Sequence, residues 1–177
     1  GTGGLSKFAE GLVKIDVQNQ IIFVLDNDSE GVEAFKKIIK MKLPHNMSCI
    51  CLPDLKEFES FPTCGPDGLT LSNINGTAAA IECYLDLTYS EYDSYIVRWT
   101  NYKKETGMYQ GALEFKEYYA KRYLDTSEVK LIESKYDTSK LEALLNAIID
   151  ACSKLSGAIR IEKIKSHYPN IWTEEKV

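Results

Sequence analysis

The stretch IIFVLDNDSEG, residues 21–31, runs five apolar residues into two aspartates and a glutamate spaced two apart. Side chains of a strand alternate sides, so residues two apart point the same way. That alternation predicts that Asp26 and Asp28 converge at a strand end, with Glu30 beside them as the backbone turns. Like charges that close repel unless a cation sits between them. The run IIFVL reads as a strand buried on both faces, as parallel sheets require. In an open α/β sheet, ligands gather outside the carboxyl ends of the strands, where these carboxylates stand.

Outward from this stretch the chain alternates. Residues 5–15, LSKFAEGLVKI, carry Leu5, Phe8, Leu12 and Ile15 at helical spacing. The preceding GTGG is a candidate phosphate cradle at a helix start, or simply a flexible end. Residues 32–42, VEAFKKIIKMK, place Val32, Phe35, Ile38 and Ile39 on one face with lysines opposite, a helix pattern. MSCICLP reads as the next short strand, stopped by Pro53. Residues 54–76, rich in Pro, Gly and Asn, read as a long loop, and loops of that length in compact domains are usually functional. TAAAIECYLD reads as a helix capped by Thr77. SYIVRWTNY reads as a strand, MYQGALEF as a lead into the helix FKEYYAKRYL, and no strand is expected after Tyr102. Leu141, Leu144, Leu145, Ile148, Ile149, Cys152 and Leu155 form a helical stripe suited to a core or a dimer surface, and IRIEKIKSHY reads as a further helix. The order predicts a βα-repeated, mainly parallel sheet over residues 1–124 and a helical extension over residues 125–177.

Composition narrows the function classes. A chain of 177 residues with 44% apolar and 27% charged side chains can build a sizeable core in one domain, with room for an appended subdomain. Its net charge of −5 argues against a blanket nucleic-acid coat, but not against an enzyme reaching phosphates through metal and a few local cations. No apolar run is long enough to span a bilayer, and GTGGLSKFAEG lacks the pattern of a secretory signal. The five cysteines are an odd number and three lie in apolar segments, so reduced thiols in a cytoplasmic protein are expected.

Asp-x-Asp at a strand end offers the oxygen ligands that Mg²⁺ takes, which are one or two carboxylates plus waters and phosphate oxygens. The plain alternative is an acidic turn, with Asp28 or Ser29 capping the next helix and Glu30 favouring its dipole. Here the sequence resembles the TOPRIM domains of the OLD-like and HEPN/Toprim-associated nucleases of prokaryotic defence systems. GTGG is similar to that family's glycine element and LDNDSEG to its Asp-x-Asp element. LPDL, GPDG, INGTAAAIECYL and QGALEFK are similar to blocks of the HEPN/Toprim group. The resemblance covers roughly residues 1–121 and implies a TOPRIM-like, Rossmann-like fold and a Mg²⁺- or Mn²⁺-dependent phosphodiesterase. DNA is favoured over RNA as its substrate, and a homo-oligomer or a partner domain is open.

Carried over, the resemblance makes Asp26 and Asp28 metal-binding aspartates, with Glu30 beside them. Glu82 matches a further acidic position and Lys116 a late lysine that offsets charge on phosphorus. The family's first glutamate belongs on a strand before the glycine element. Glu10 follows the glycines and does not take that role, so the chain is expected to be part of a longer protein.

Other groupings carry less. Glu82 lies among apolar neighbours, where a carboxylate needs a metal or a basic partner. Lys116 opens a helix, where a cation opposes the dipole. His45, Cys49, Cys51 and Cys64 lack the paired CxxC knuckles of a zinc site and read as core. Neither His45 nor His167 suggests a hydrolytic triad. Arg98, Lys103, Lys104, Lys121 and Arg122 interleave with Trp99, Tyr102, Tyr118, Tyr119 and Tyr123. That mixture suits single-stranded nucleic acid and a buried partner face equally. Two rival readings stand beside the nuclease. One is a non-catalytic, TOPRIM-like interaction module; the other is an aspartyl phosphotransfer enzyme, against which Glu30 counts.

Overall fold

The computed structural model describes residues 3–90, 94–103 and 108–168. Strand β1 (Ile21–Leu25), helix α2 (Ser29–Ile39) and strand β3 (Met47–Cys51) form a β-α-β unit behind helix α1 (Gly3–Lys14). β1 and β3 pair in parallel, Phe23 opposite Cys49 and Leu25 opposite Cys51. A parallel pair requires a crossover, and α2 is that crossover.

The burial of β1 is one-sided. Phe23 and Leu25 are buried, whereas Val24 is 38% exposed. The expectation of a strand covered on both faces is therefore corrected: β1 and β3 form a two-stranded sheet. Phe23, Leu25 and Met47 make one core with Ala9 of α1 and with Ala34 and Ile38 of α2. The buried faces are rotated from the expected ones. Phe8 of α1, Ile15 just beyond its end and Ile39 of α2 are exposed, while Leu5, Leu12 and Val13 pack inward around Ala9. Small residues let the helices approach closely, and the larger neighbours close the sides.

The second core belongs to a four-stranded sheet ordered β5-β4-β7-β8, comprising β4 (Phe61–Gly65), β5 (Gly68–Ser72), β7 (Val97–Lys103) and β8 (Met108–Leu113). β4 and β7 are parallel; β4–β5 and β7–β8 are antiparallel. The chain is thus α/β as expected, but its pairing is mixed, not mainly parallel.

Three local readings are overturned here. Residues 54–76 hold a 3₁₀ turn (Lys56–Ser60) and the β4–β5 hairpin, closed by Pro66-Asp67 between the paired Gly65 and Gly68. Gly68 takes φ +94°, which a side chain disfavours. TAAAIECYLD is no helix: β6 (Ala78–Ala79) pairs antiparallel with β2 (Asn27–Asp28), and Ile81–Tyr84 is a 3₁₀ turn. Thr77 caps nothing there; it forms a bridge to Asp28. MYQGALEF supplies β8, a strand after Tyr102.

Helices α3 (Lys116–Asp125), α4 (Glu128–Glu133) and α5 (Ser139–His167) complete the described chain. IRIEKIKSHY continues α5 rather than forming a separate helix. Of the expected stripe, Leu144 and Leu155 are buried with Ala151 and Ile159, while Leu145 and Ile149 are exposed. α5 lies against β1, β3 and the Ile81–Tyr84 turn. Leu144 joins the second core with Phe58, Phe61, Tyr84, Val97 and Leu113. Phe58 meets Tyr84 edge-on at 5.0 Å and Phe61 at 5.9 Å, contacts worth about 1 kcal/mol each beyond area burial. No helix among the described residues is long and apolar enough to cross a membrane.

Candidate functional site

The end of β1 is held by backbone amides. Asp28 is the N-cap of α2, its Oδ1 accepting from Gly31 N–H at 2.6 Å. This satisfies one of the amide donors that a helix start leaves open. Asp26, between β1 and β2, accepts from Ile81 N–H at 3.0 Å through Oδ1. Among the described residues no hydrogen bond engages the second oxygen of either carboxylate.

Charge accumulates around Asp26. Burial raises its pKa above the usual aspartate value, and the Asp28 carboxylate raises it further. The Ile81 amide pulls it down, Glu82 pushes it up and Lys116 pulls it down again. The structure therefore brings Asp26, Asp28, Glu82 and Lys116 into one electrostatic neighbourhood. Glu82 reaches it from the Ile81–Tyr84 turn and is half-buried. Lys116 reaches it as the exposed first residue of α3, after Phe115 turns the backbone through the left-handed region at φ 55°. A cation at a helix N-terminus opposes the dipole, and its attraction to Asp26 offsets that placement.

Glu30 is differently engaged, its Oε1 accepting from Gln110 Nε2 of β8 at 3.0 Å. Among the described residues no three His, Cys, Asp or Glu side chains are grouped so as to hold a metal ion. The expected trio of Asp26, Asp28 and Glu30 is thus not assembled as a ready cage. GTGG contributes only Gly3 and Gly4 to α1; Gly1 and Thr2 lie outside the described residues.

Asn27 was missed from sequence, although a polar residue on the inward side of an apolar strand end must find partners. It is 3% exposed. Its Nδ2 donates to Asp54 Oδ1 at 2.7 Å and its Oδ1 accepts from Gly76 N–H at 2.9 Å. Asn75 adds a reciprocal pair with the backbone of Leu55, at 3.1 and 3.0 Å. Tyr84 donates to the carbonyl of Pro53 at 2.6 Å. So LDNDSEG, LPDL and INGTAAAIECYL, far apart in sequence, close around one another beneath the carboxylates.

No family profile, curated protein or solved structure matches this chain.

The other candidates have structural employment. Cys49 packs in the first core with its thiol pushed up to about 12 by burial and then by Cys51, and all five cysteines are free thiols. His45 lies 3.6 Å from Glu162. Arg98 pairs with Glu114, and Arg122 lies over the Tyr89 ring at 5.2 Å. Tyr119 is buried and Tyr123 packs on Tyr136. Most of the cation and aromatic mixture is therefore spent within the fold. Lys104 lies outside the described residues.

Proposed function

We propose that this chain carries the metal-binding half-site of a TOPRIM-type, TOPRIM-folded phosphodiesterase acting on nucleic acid, DNA before RNA. It would belong to a larger prokaryotic defence protein working in the cytoplasm. The observation that carries the reading is the half-buried Asp26 carboxylate, held against Asp28 and Glu82 at the C-terminal end of a parallel strand. Folding that repulsion into a strand end is costly unless a cation relieves it. Each aspartate has one oxygen oriented by a backbone amide, the arrangement that ligating carboxylates commonly show.

Asp26 and Asp28 would hold Mg²⁺ or Mn²⁺, two carboxylates being the number such an ion usually takes from protein. When bound, the ion supplies a Lewis acid and a nucleophilic water near neutral pH. Glu82, whose charge acts on Asp26, would serve as the general base for an attacking water. Lys116 offers positive charge to the phosphate oxygens as the phosphorus–oxygen bond breaks.

A second reading rests on the same two hydrogen bonds. As N-cap and turn residue, Asp28 and Asp26 have full structural roles, which suits a non-catalytic module. Cleavage separates the two. With the complete protein that carries this chain, labelled single- and double-stranded DNA and RNA should be cut in Mn²⁺. Asp26→Asn and Asp28→Asn keep both hydrogen-bond acceptors and should each lower the rate by about 100-fold or more. Cleavage undiminished in both variants, or none by the parent protein, favours the module.

A further inference from the structure

A cavity of about 330 Å³ opens between the β4–β5 turn and the β7–β8 pair, lined by Gly65, Thr70, Thr77, Trp99 and Tyr109 among others. That is within the size range of small-ligand sites. Its wall is built around Trp99. The cross-strand neighbour of Trp99 on β8 is Gly111, where a Cβ would come 2.7 Å from the indole. On the other side lies Gly65, where a Cβ would stand 3.4 Å from the ring. Glycines on both flanks let the indole lie close to the sheet, and packing against the second core holds it there. Val97 and Trp99 on β7, and Tyr109, Gly111 and Leu113 on β8, share one face by alternation. The cavity thus continues the face whose inner part, Val97 and Leu113, is core.

The cavity adjoins the carboxylates through β6. Thr77 lines it and is bridged to Asp28, and Ser29 N–H donates to the Thr77 carbonyl at 3.1 Å. Ala78, paired with Asp28, also lies under Gly111, whose Cβ would meet that of Ala78 at 2.6 Å.

The lining decides the occupant. Among the described residues it holds no Lys, Arg or His, and it includes the carboxylate of Asp67, so a phosphate is disfavoured. An indole, a phenol ring and threonine hydroxyls suit a flat, neutral group carrying hydrogen-bond donors and acceptors. We propose that this cavity receives an unpaired nucleobase of the substrate strand, stacked on Trp99, while the adjoining phosphodiester lies at Asp26 and Asp28. The proposal rests on the phosphodiesterase reading and adds a substrate class, single-stranded or locally unpaired nucleic acid. A base inside a duplex is not available to such a slot without being unstacked.

The test uses the full-length protein, EDTA to prevent cleavage, and two fluorescently labelled 12-mers of equal charge, oligothymidylate and its fully abasic counterpart. Anisotropy titration should show oligothymidylate binding at least about tenfold more tightly, since stacking on an aromatic side chain is sequence-tolerant and worth a factor of this order. Trp99→Leu should shrink that preference. Tyr109→Ala, at an exposed position outside the core, should do so without risk to folding. Equal binding of the two 12-mers, no binding of either, or a preference unchanged in both variants overturns the proposal. A cavity serving a protein partner would give the first or second result. Equal binding with Asp26-dependent cleavage intact leaves the enzyme standing; base preference without any cleavage leaves the base slot and removes the enzyme.

Discussion

The carboxylate of Asp26 accepts a 3.0 Å hydrogen bond from the backbone N–H of Ile81, fifty-five residues along the chain. This contact ties the end of β1 to the turn that carries Glu82. Its consequence is a pH dependence. Because burial, Asp28 and Glu82 hold the folded pKa of Asp26 above its ordinary 3.8, the folded state binds that proton more tightly than the unfolded chain. The associated stability is present in full below the unfolded value and is lost as pH rises through the folded one. Asp26→Asn keeps the acceptor and removes the charge. In EDTA at pH 7 the variant should melt above the parent, and the gap should close below about pH 4. A gap independent of pH would contradict the placement of Asp26.

Asn27 is the hinge of the latch beneath the site, bonded to Asp54 and to Gly76. Asn27→Ala leaves the half-buried Gly76 N–H without its acceptor, while the exposed Asp54 carboxylate turns to water. A stranded buried group costs about 1–3 kcal/mol, so urea unfolding should show a loss of that order. Asn27→Asp, which faces one carboxylate with another, should be no milder. Losses under 1 kcal/mol in both would show that the latch is not structural.

Gly31 stands in the first turn of α2 directly against the Asp26 backbone. A Cβ there would lie 2.9 Å from the Asp26 carbonyl carbon and run into its oxygen. Backbone cannot rotate away as a side chain can. Gly31→Ala should therefore cost about 2 kcal/mol net, overpacking exceeding the ~1 kcal/mol that alanine brings to a helix. A stabilised variant, read by its urea midpoint, would show that the helix start is looser than the geometry requires.

Legibility from sequence divides along physical lines. β1, α2 and β3 were readable because five apolar residues, a 3.6-residue period and a second apolar run are local signals. The β4–β5 hairpin was hidden because β5, although Leu69 and Leu71 alternate with Thr70 and Ser72, is almost wholly exposed and lies in a Pro-, Gly- and Asn-rich stretch that reads as loop. Yet Pro66-Asp67-Gly68 is a turn signature, and it marks where the hairpin reverses. The alanines of TAAAIECYL favour a helix in isolation. In the fold Ala78 and Ala79 are buried and pair with β2, so tertiary contacts override propensity. β8 escaped because Gly111 weakens the strand pattern, and its reason, the room that Trp99 needs, lies on another strand. Asp26 and Asp28 were legible through alternation. That Glu82 and Lys116 approach them could come only from the resemblance, since nothing local records a contact across fifty-six or ninety residues. Asn27 and Gln110, which bond from β2 to Asp54 and from β8 to Glu30, lie inside LDNDSEG and QGALEFK, but the resemblance gave neither a role.

The central claim is that the acidic end of β1 holds a divalent ion, and calorimetric titration of Mn²⁺ and Mg²⁺ into the complete protein tests it most directly. The parent should bind with proton release that grows as pH falls toward the raised pKa of Asp26. The Asp26→Asn/Asp28→Asn double variant, which keeps both amide contacts, should lose that heat while remaining folded. Identical isotherms for parent and variant would contradict the claim.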